Sequence, residues 1–97
     1  MPKVAAERVG VASLRKRFAG VMVRDLESEL LLLDTEADQI HKLNRTASFI
    51  WRHLGEADSP EKLAGLLAQA FDIEEHVALR DVADTLKRFR ALNLVLE

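Results

Sequence analysis

The side chains that could do chemistry are few, and their spacing argues against catalysis. Among 97 residues there are three histidines, His41, His53 and His76, and no cysteine. Without a thiol there is no disulfide scaffold, no thiolate metal site and no Cys nucleophile, a composition that fits a reducing compartment. The three imidazoles are far apart in sequence and fall on different predicted elements, so exposed or helix-end histidines are expected in preference to a metal ligand or general base. Asp34, Glu36 and Asp38 have the alternate spacing that opens an EF-hand loop. That loop needs Gly at its sixth position and Glu at its twelfth, where this chain has Gln39 and Arg45. A solvated acidic turn is the expectation instead. The four glycines, Gly10, Gly20, Gly55 and Gly65, are scattered, so no phosphate-cradling loop is present, and no serine sits in a nucleophile-elbow pattern. The expectation is a protein that is not an enzyme, with no catalytic residue, no metal and no cofactor. Trp51 is a candidate ligand contact, but its helical spacing with Ile50 and Leu54 assigns it to a core.

Composition and charge narrow the remaining classes. The apolar fraction is 48%, the charged fraction 31% and the formal net charge −2, values of an ordinary globular chain of one domain. Charge is uneven: residues 1–24 carry six basic residues and one acid, whereas residues 25–97 carry eight basic and fifteen acidic ones. This divides the chain into a basic arm over 1–16, expected to be loosely ordered or to touch phosphates or an acidic partner, and a domain over 17–97. The acidic domain is poorly suited to nucleic acid, since phosphate neutralisation needs a basic face. The longest apolar run, Leu30 to Leu33, falls far short of a membrane span, and the first residues lack the apolar segment of a signal peptide. A cytoplasmic protein is expected.

The elements that must position any site follow from periodicity. Phe18–Arg24 is rich in β-formers, Leu30–Leu33 is a short apolar run bounded by acids, and Gln39–Leu43 is a third extended segment. Short polar connections between them imply an antiparallel meander. Within the third strand Ile40 and Leu43 fall on opposite faces, so the segment is either covered on both sides or leads into a helix at Leu43. From Asn44 the period changes to that of a helix, with Asn44 as cap, Ala47, Ile50, Trp51 and Leu54 on the apolar face and Gly55 as the stop. Ser59-Pro60 is a helix start, with Leu63, Leu66, Leu67, Ala70 and Phe71 facing inward. Asp72, with Glu75 three residues on, reads as the capping box of a third helix that runs to about Leu92. Leu94–Leu96 is a stub that could add a strand. The whole is an α+β domain, a three-stranded antiparallel sheet followed by three helices.

A small meander has edges, and an exposed edge is either guarded or used. The third helix offers the stripe Ala78, Val82, Leu86 and Phe89, flanked by Leu79 and Arg90 on one side and by Thr85 and Leu92 on the other. Most of the stripe belongs to the core. Any part of it beside an edge strand makes a groove suited to an extended peptide, whose backbone bonds to the strand while its apolar side chains rest on the helix.

The segment Leu30-Leu31-Leu32-Leu33-Asp34, followed by Gln39-Ile40-His41-Lys42-Leu43-Asn44 and by Thr46-Ala47-Ser48-Phe49-Ile50-Trp51, resembles the PqqD family. Its pattern is an apolar strand ending in Asp, a turn, an apolar-aromatic pair, Leu-Asn, then Thr, a small residue and Ile-Trp. Ser59-Pro60-Glu61-Lys62-Leu63-Ala64 is similar to the family's second helix, and Val82 to Leu94 to its closing helix. The likeness covers residues 18–96. His41 stands where members often have Tyr or Trp, and Ala47-Ser48 replaces a frequent Gly-containing step. The resemblance implies a winged-helix-like fold and a non-enzymatic peptide chaperone, also called a RiPP recognition element, which binds the leader segment of a precursor peptide and presents it to a modifying enzyme. Such enzymes include radical SAM proteins, as in pyrroloquinoline quinone biosynthesis, and cyclase or protease partners for lasso peptides. The family receives the leader as an added strand beside its third helix. By position that implies Gln39, Ile40, His41, Lys42 and Leu43 here, with Val82, Leu86 and Phe89 from the last helix. Lys42, Lys87 and Arg90 are candidates to attract leader carboxylates. The rival reading is a winged-helix DNA-binding regulator, against which stand Asp81 and Asp84 on the third helix. A homodimer pairing its own open edges is a further alternative.

Overall fold

The computed structural model describes residues 15–17, 19–57 and 59–96. Residues 1–14, most of the expected basic arm, and Phe18, the expected start of the first strand, lie outside them.

In chain order the elements are β1 (Arg15–Lys16), β2 (Val21–Leu26), β3 (Glu29–Asp34), β4 (Gln39–Leu43), α1 (Arg45–His53), α2 (Pro60–Phe71), α3 (Glu75–Ala91) and β5 (Val95–Leu96). This is the α+β architecture expected from the sequence, a three-stranded antiparallel sheet of order β2-β3-β4 followed by three helices. The last two residues of the expected arm, Arg15 and Lys16, pair with Leu96 and Val95 in a second, two-stranded sheet. Among the described residues no helix is long and apolar enough to cross a membrane.

Strand β2, the first of the three-stranded sheet, begins at Val21 and continues past the expected Arg24 to Leu26. It is followed by a turn of two residues in which Glu27 takes a left-handed φ of +63°. Tight hairpin turns need such a residue to match the strand twist. The four leucines of β3 divide by alternation. Leu30 and Leu32 are buried under the helices together with Asp34, whereas Leu31 and Leu33 are half-buried on the other face.

Helix α1 begins as its cap requires, with the Asn44 side chain accepting from the Ala47 N–H at 2.8 Å. Gly55, just past its end, has φ +94°, the left-handed conformation that favours glycine there. The Ser59 side chain accepts from the Lys62 N–H at 3.2 Å, with Pro60 opening α2. The expected capping box at Asp72 is not formed. Asp72 instead closes α2 in the left-handed region, with φ +54° and its N–H bonded to the Ala68 carbonyl, and α3 begins after Glu74 without a side-chain cap. The periodic signals of α2 and α3 run so close together that one residue could serve either helix, and the turn geometry gave it to the first.

The core joins both layers. Leu30, Leu32 and Leu43 of the sheet meet Ala47, Ile50, Trp51 and Leu54, then Leu63, Ala64 and Leu67, then Ala78, Val82, Leu86 and Phe89, and finally Leu94 and Val95. Trp51 is 3% exposed and packs edge-on against Phe89 with ring centroids 5.6 Å apart, so it is a core residue as its spacing predicts. The buried hydroxyl of Ser48 accepts from the Leu30 N–H at 2.9 Å and donates to the Leu43 carbonyl at 3.1 Å. One side chain thus ties α1 to the start of β3 and the end of β4.

Candidate functional site

Strand β4 is an edge. It pairs with β3 on one side, in the register Leu30 with Leu43, Leu31 with Lys42, Leu32 with His41, Leu33 with Ile40 and Asp34 with Gln39. Among the described residues no strand pairs with its other side. A row of backbone groups there is a template for a further strand. The faces that the sequence left ambiguous are resolved. Leu43 is buried and His41 half-buried on the helix side, whereas Ile40 and Lys42 stand on the open face, Ile40 at 66% exposure. The strand therefore has one covered face and leads into α1. The Nε2 atom of His41 is enclosed, with no hydrogen-bond partner among the described residues.

Where β4 passes into α1 a cleft of about 180 Å³ opens toward α3, lined by Asn44, Thr46 and Ala47 on one wall and by Asp81, Asp84, Thr85 and Arg88 on the other. The α3 residues implied by position are elsewhere. Val82, Leu86 and Phe89 are essentially inaccessible at 0, 1 and 0% exposure. The whole stripe is consumed by packing against α2 and α1, Phe89 against Trp51 among them, so these side chains support the cleft from beneath and do not line it. Arg90 is exposed, and helical periodicity places it about 200° around α3 from Arg88, on the flank away from the cleft. The lining residues Asp81, Asp84 and Arg88 were missed by a search for apolar contacts. Thr85, already placed on the flank of the core stripe by spacing, was the signal that pointed to them.

At the far end of β3 the expected solvated acidic turn is only partly solvated. Asp34 is 1% exposed and forms an ion pair with the buried guanidinium of Arg17. Its Oδ1 also accepts from the N–H groups of Glu36 and Ala37 at 3.2 and 3.1 Å. The Ala37 N–H is the leading cause that holds this carboxyl below the usual carboxylate range. Burial works in the opposite direction, and Arg17 and the Glu36 N–H add to the lowering. Arg17 donates its backbone N–H to the Leu94 carbonyl at 2.9 Å, so the pair fastens the entry to β2, the β3–β4 turn and the chain end before β5.

The other two histidines do not approach this edge pair or one another as a site. His53 meets Glu56 at 3.2 Å and His76 meets Glu74 at 3.6 Å, both at the surface. Among the described residues no group of three or more His, Asp or Glu side chains is placed to hold a metal ion.

The family model for coenzyme PQQ synthesis protein D (PqqD) matches residues 29–95. Two solved structures are similar. One is TbiB1 in complex with the TbiA(beta) leader peptide, with a TM-score of 0.73 and 22% identity over 84% of this chain and 94% of that one. The other is a lasso peptide synthetase B1 complexed with the leader peptide, with a TM-score of 0.71 and 26% identity over 86% of this chain and 96% of that one. No curated protein matches the chain.

Proposed function

The chain belongs to the PqqD family, and from that premise we propose that it is a leader-peptide chaperone, which binds the leader segment of a ribosomally made precursor by strand addition at β4 and presents it to a separate modifying enzyme. The observation that carries this reading is the unpaired β4 edge beside the cleft shared with α3. Main-chain bonds along Gln39 to Leu43 supply affinity that tolerates sequence, and the flanking side chains supply choice. Val82, Leu86 and Phe89 hold α3 at the distance that keeps the cleft open. The solved relatives, each complexed with a leader peptide, support the same use of this fold. The enzyme that receives the peptide is of the radical SAM, cyclase or protease kind.

The DNA-binding alternative is not favoured. It needs α3 in a major groove, and that helix turns Asp81 and Asp84 outward beside Arg80, Lys87 and Arg88. Titration of the full chain with synthetic peptides spanning the leader encoded beside its gene, and separately with duplex DNA, tests the reading. Saturable peptide binding with peptide mass unchanged is expected. Binding to DNA but to no such peptide, or a peptide modified by the chain alone, contradicts it.

A further inference from the structure

An edge strand that accepts a neighbour also selects that neighbour's side chains, because residues directly opposite one another share a face. On the face turned away from the helices, Ile40 lies within β4, yet it is the most exposed large apolar residue among those described, at 66%. It stands in one cross-strand row with half-buried Leu33 and with Met22, itself 51% exposed. The next row along the strand is Lys42, Leu31 and Arg24. It carries two cations and no acid. The Lys42 side chain is 66% exposed and meets Glu29 at 3.6 Å, a pair open to water that an added strand can compete with. A β-branched apolar residue left in water on an edge is an aggregation hazard unless something covers it.

We propose that the strand received by β4 carries a bulky apolar side chain opposite Ile40 and an acidic side chain two residues away, opposite Lys42, both on the face of the sheet away from the helices. The inference rests on strand addition at β4 and names the class of leader that addition selects. The apolar residue continues the row Met22, Leu33, Ile40 by one strand and removes Ile40 from water. The acid neutralises the row headed by Lys42, where a basic residue would be repelled. In an antiparallel arrangement the acid precedes the apolar residue in the leader; in a parallel one it follows.

Selection of random dodecapeptides on the full chain tests this, run in parallel on Ile40→Thr and on the double variant Glu29→Lys with Lys42→Glu. The double variant exchanges the charges of the pair without breaking it, so it folds while reversing the charge at the edge. The wild-type pool is expected to carry an acid and a large apolar residue at a spacing of two. The charge-exchanged pool carries a base in place of the acid, and the Ile40→Thr pool loses the apolar preference. Changing the acid of a selected peptide to Lys weakens its binding to the wild type by about three- to fivefold. Peptides that protect β4 amides from hydrogen exchange but lack this pair, or whose composition ignores the charge exchange, overturn the inference and leave strand addition standing. Peptides that bind without protecting β4, or a failure to enrich any peptide, overturn strand addition as well.

Discussion

Ser48 and Asp34 show how single polar side chains fasten the ends of β3 to their neighbours. The Ser48 hydroxyl satisfies the Leu30 N–H and the Leu43 carbonyl in a fully buried setting. Ser48→Ala leaves both groups without that partner, and an unsatisfied buried group costs about 1–3 kcal/mol. The expected outcome is a clear fall in melting temperature, measured by circular dichroism, with the melt still cooperative. Asp34→Asn removes the charge that faces buried Arg17 and is likewise expected to melt lower at neutral pH. The sign of its pH dependence follows from the lowered carboxyl. A folded-state pKa below the unfolded value contributes stability that is fully present above about pH 4 and is lost as pH falls through the folded value. The gap in melting temperature between wild type and Asp34→Asn therefore narrows as pH is taken from 7 toward 3. A gap that stays constant over that range contradicts the ion-paired Asp34. Neither role was legible in the sequence. Ser48 read as a departure from a Gly-containing step, and Asp34 as one of three acids in a turn. Each depends on a partner 17 or 18 residues distant in the chain, which local spacing does not reveal.

At the scale of elements, periodicity located every helix, and the two caps with a local donor three residues on, Asn44 and Ser59, formed as read. Asp72 failed because a capping box and a left-handed helix end use the same short polar residue. The two roles make opposite predictions. As a cap of α3, Asp72→Gly would cost stability; as the left-handed end of α2, at φ +54°, it is neutral or stabilising by up to about 1 kcal/mol, since glycine carries no steric penalty there. Chemical denaturation of this one variant separates the two. In β4 successive N–H groups point to opposite sides. Of His41→Pro and Lys42→Pro, one therefore removes a bond to β3 and lowers the melting temperature by several degrees. The other keeps a cooperative melt and loses leader affinity, as proline is tolerated where an edge N–H faces outward. Two variants that both fold and both bind the leader normally contradict β4 as the docking strand. Which faces of β4 were covered was not legible, because Ile40 and Leu43 signal opposite sides. The fold decides it by burying Leu43 in the core and half-burying His41 while leaving Ile40 and Lys42 in water.

Across the whole molecule, the fold class and the order of the three-stranded sheet and the three helices were legible because the period becomes helical at a single point, Asn44, whereas β1, two residues of the expected arm paired with β5, was not. The groove was legible only in outline. A stripe of Ala78, Val82, Leu86 and Phe89 on a terminal helix serves equally as core or as ligand contact, and packing against α2 and against Trp51 of α1 claims all of it. What remains for a partner is the flank of Asp81, Asp84, Thr85 and Arg88 across from Asn44 and Thr46, together with the open edge of β4 and its outward row. The chain thus spends its apolar residues on holding an edge strand and a helix apart.

Amide hydrogen exchange of the full chain, with and without a leader peptide encoded beside its gene, tests that arrangement most directly. Strand addition predicts new protection at alternate amides within Gln39 to Leu43, with the outer edge of β2 unchanged. Binding that leaves β4 unprotected, or that protects β2 instead, contradicts it.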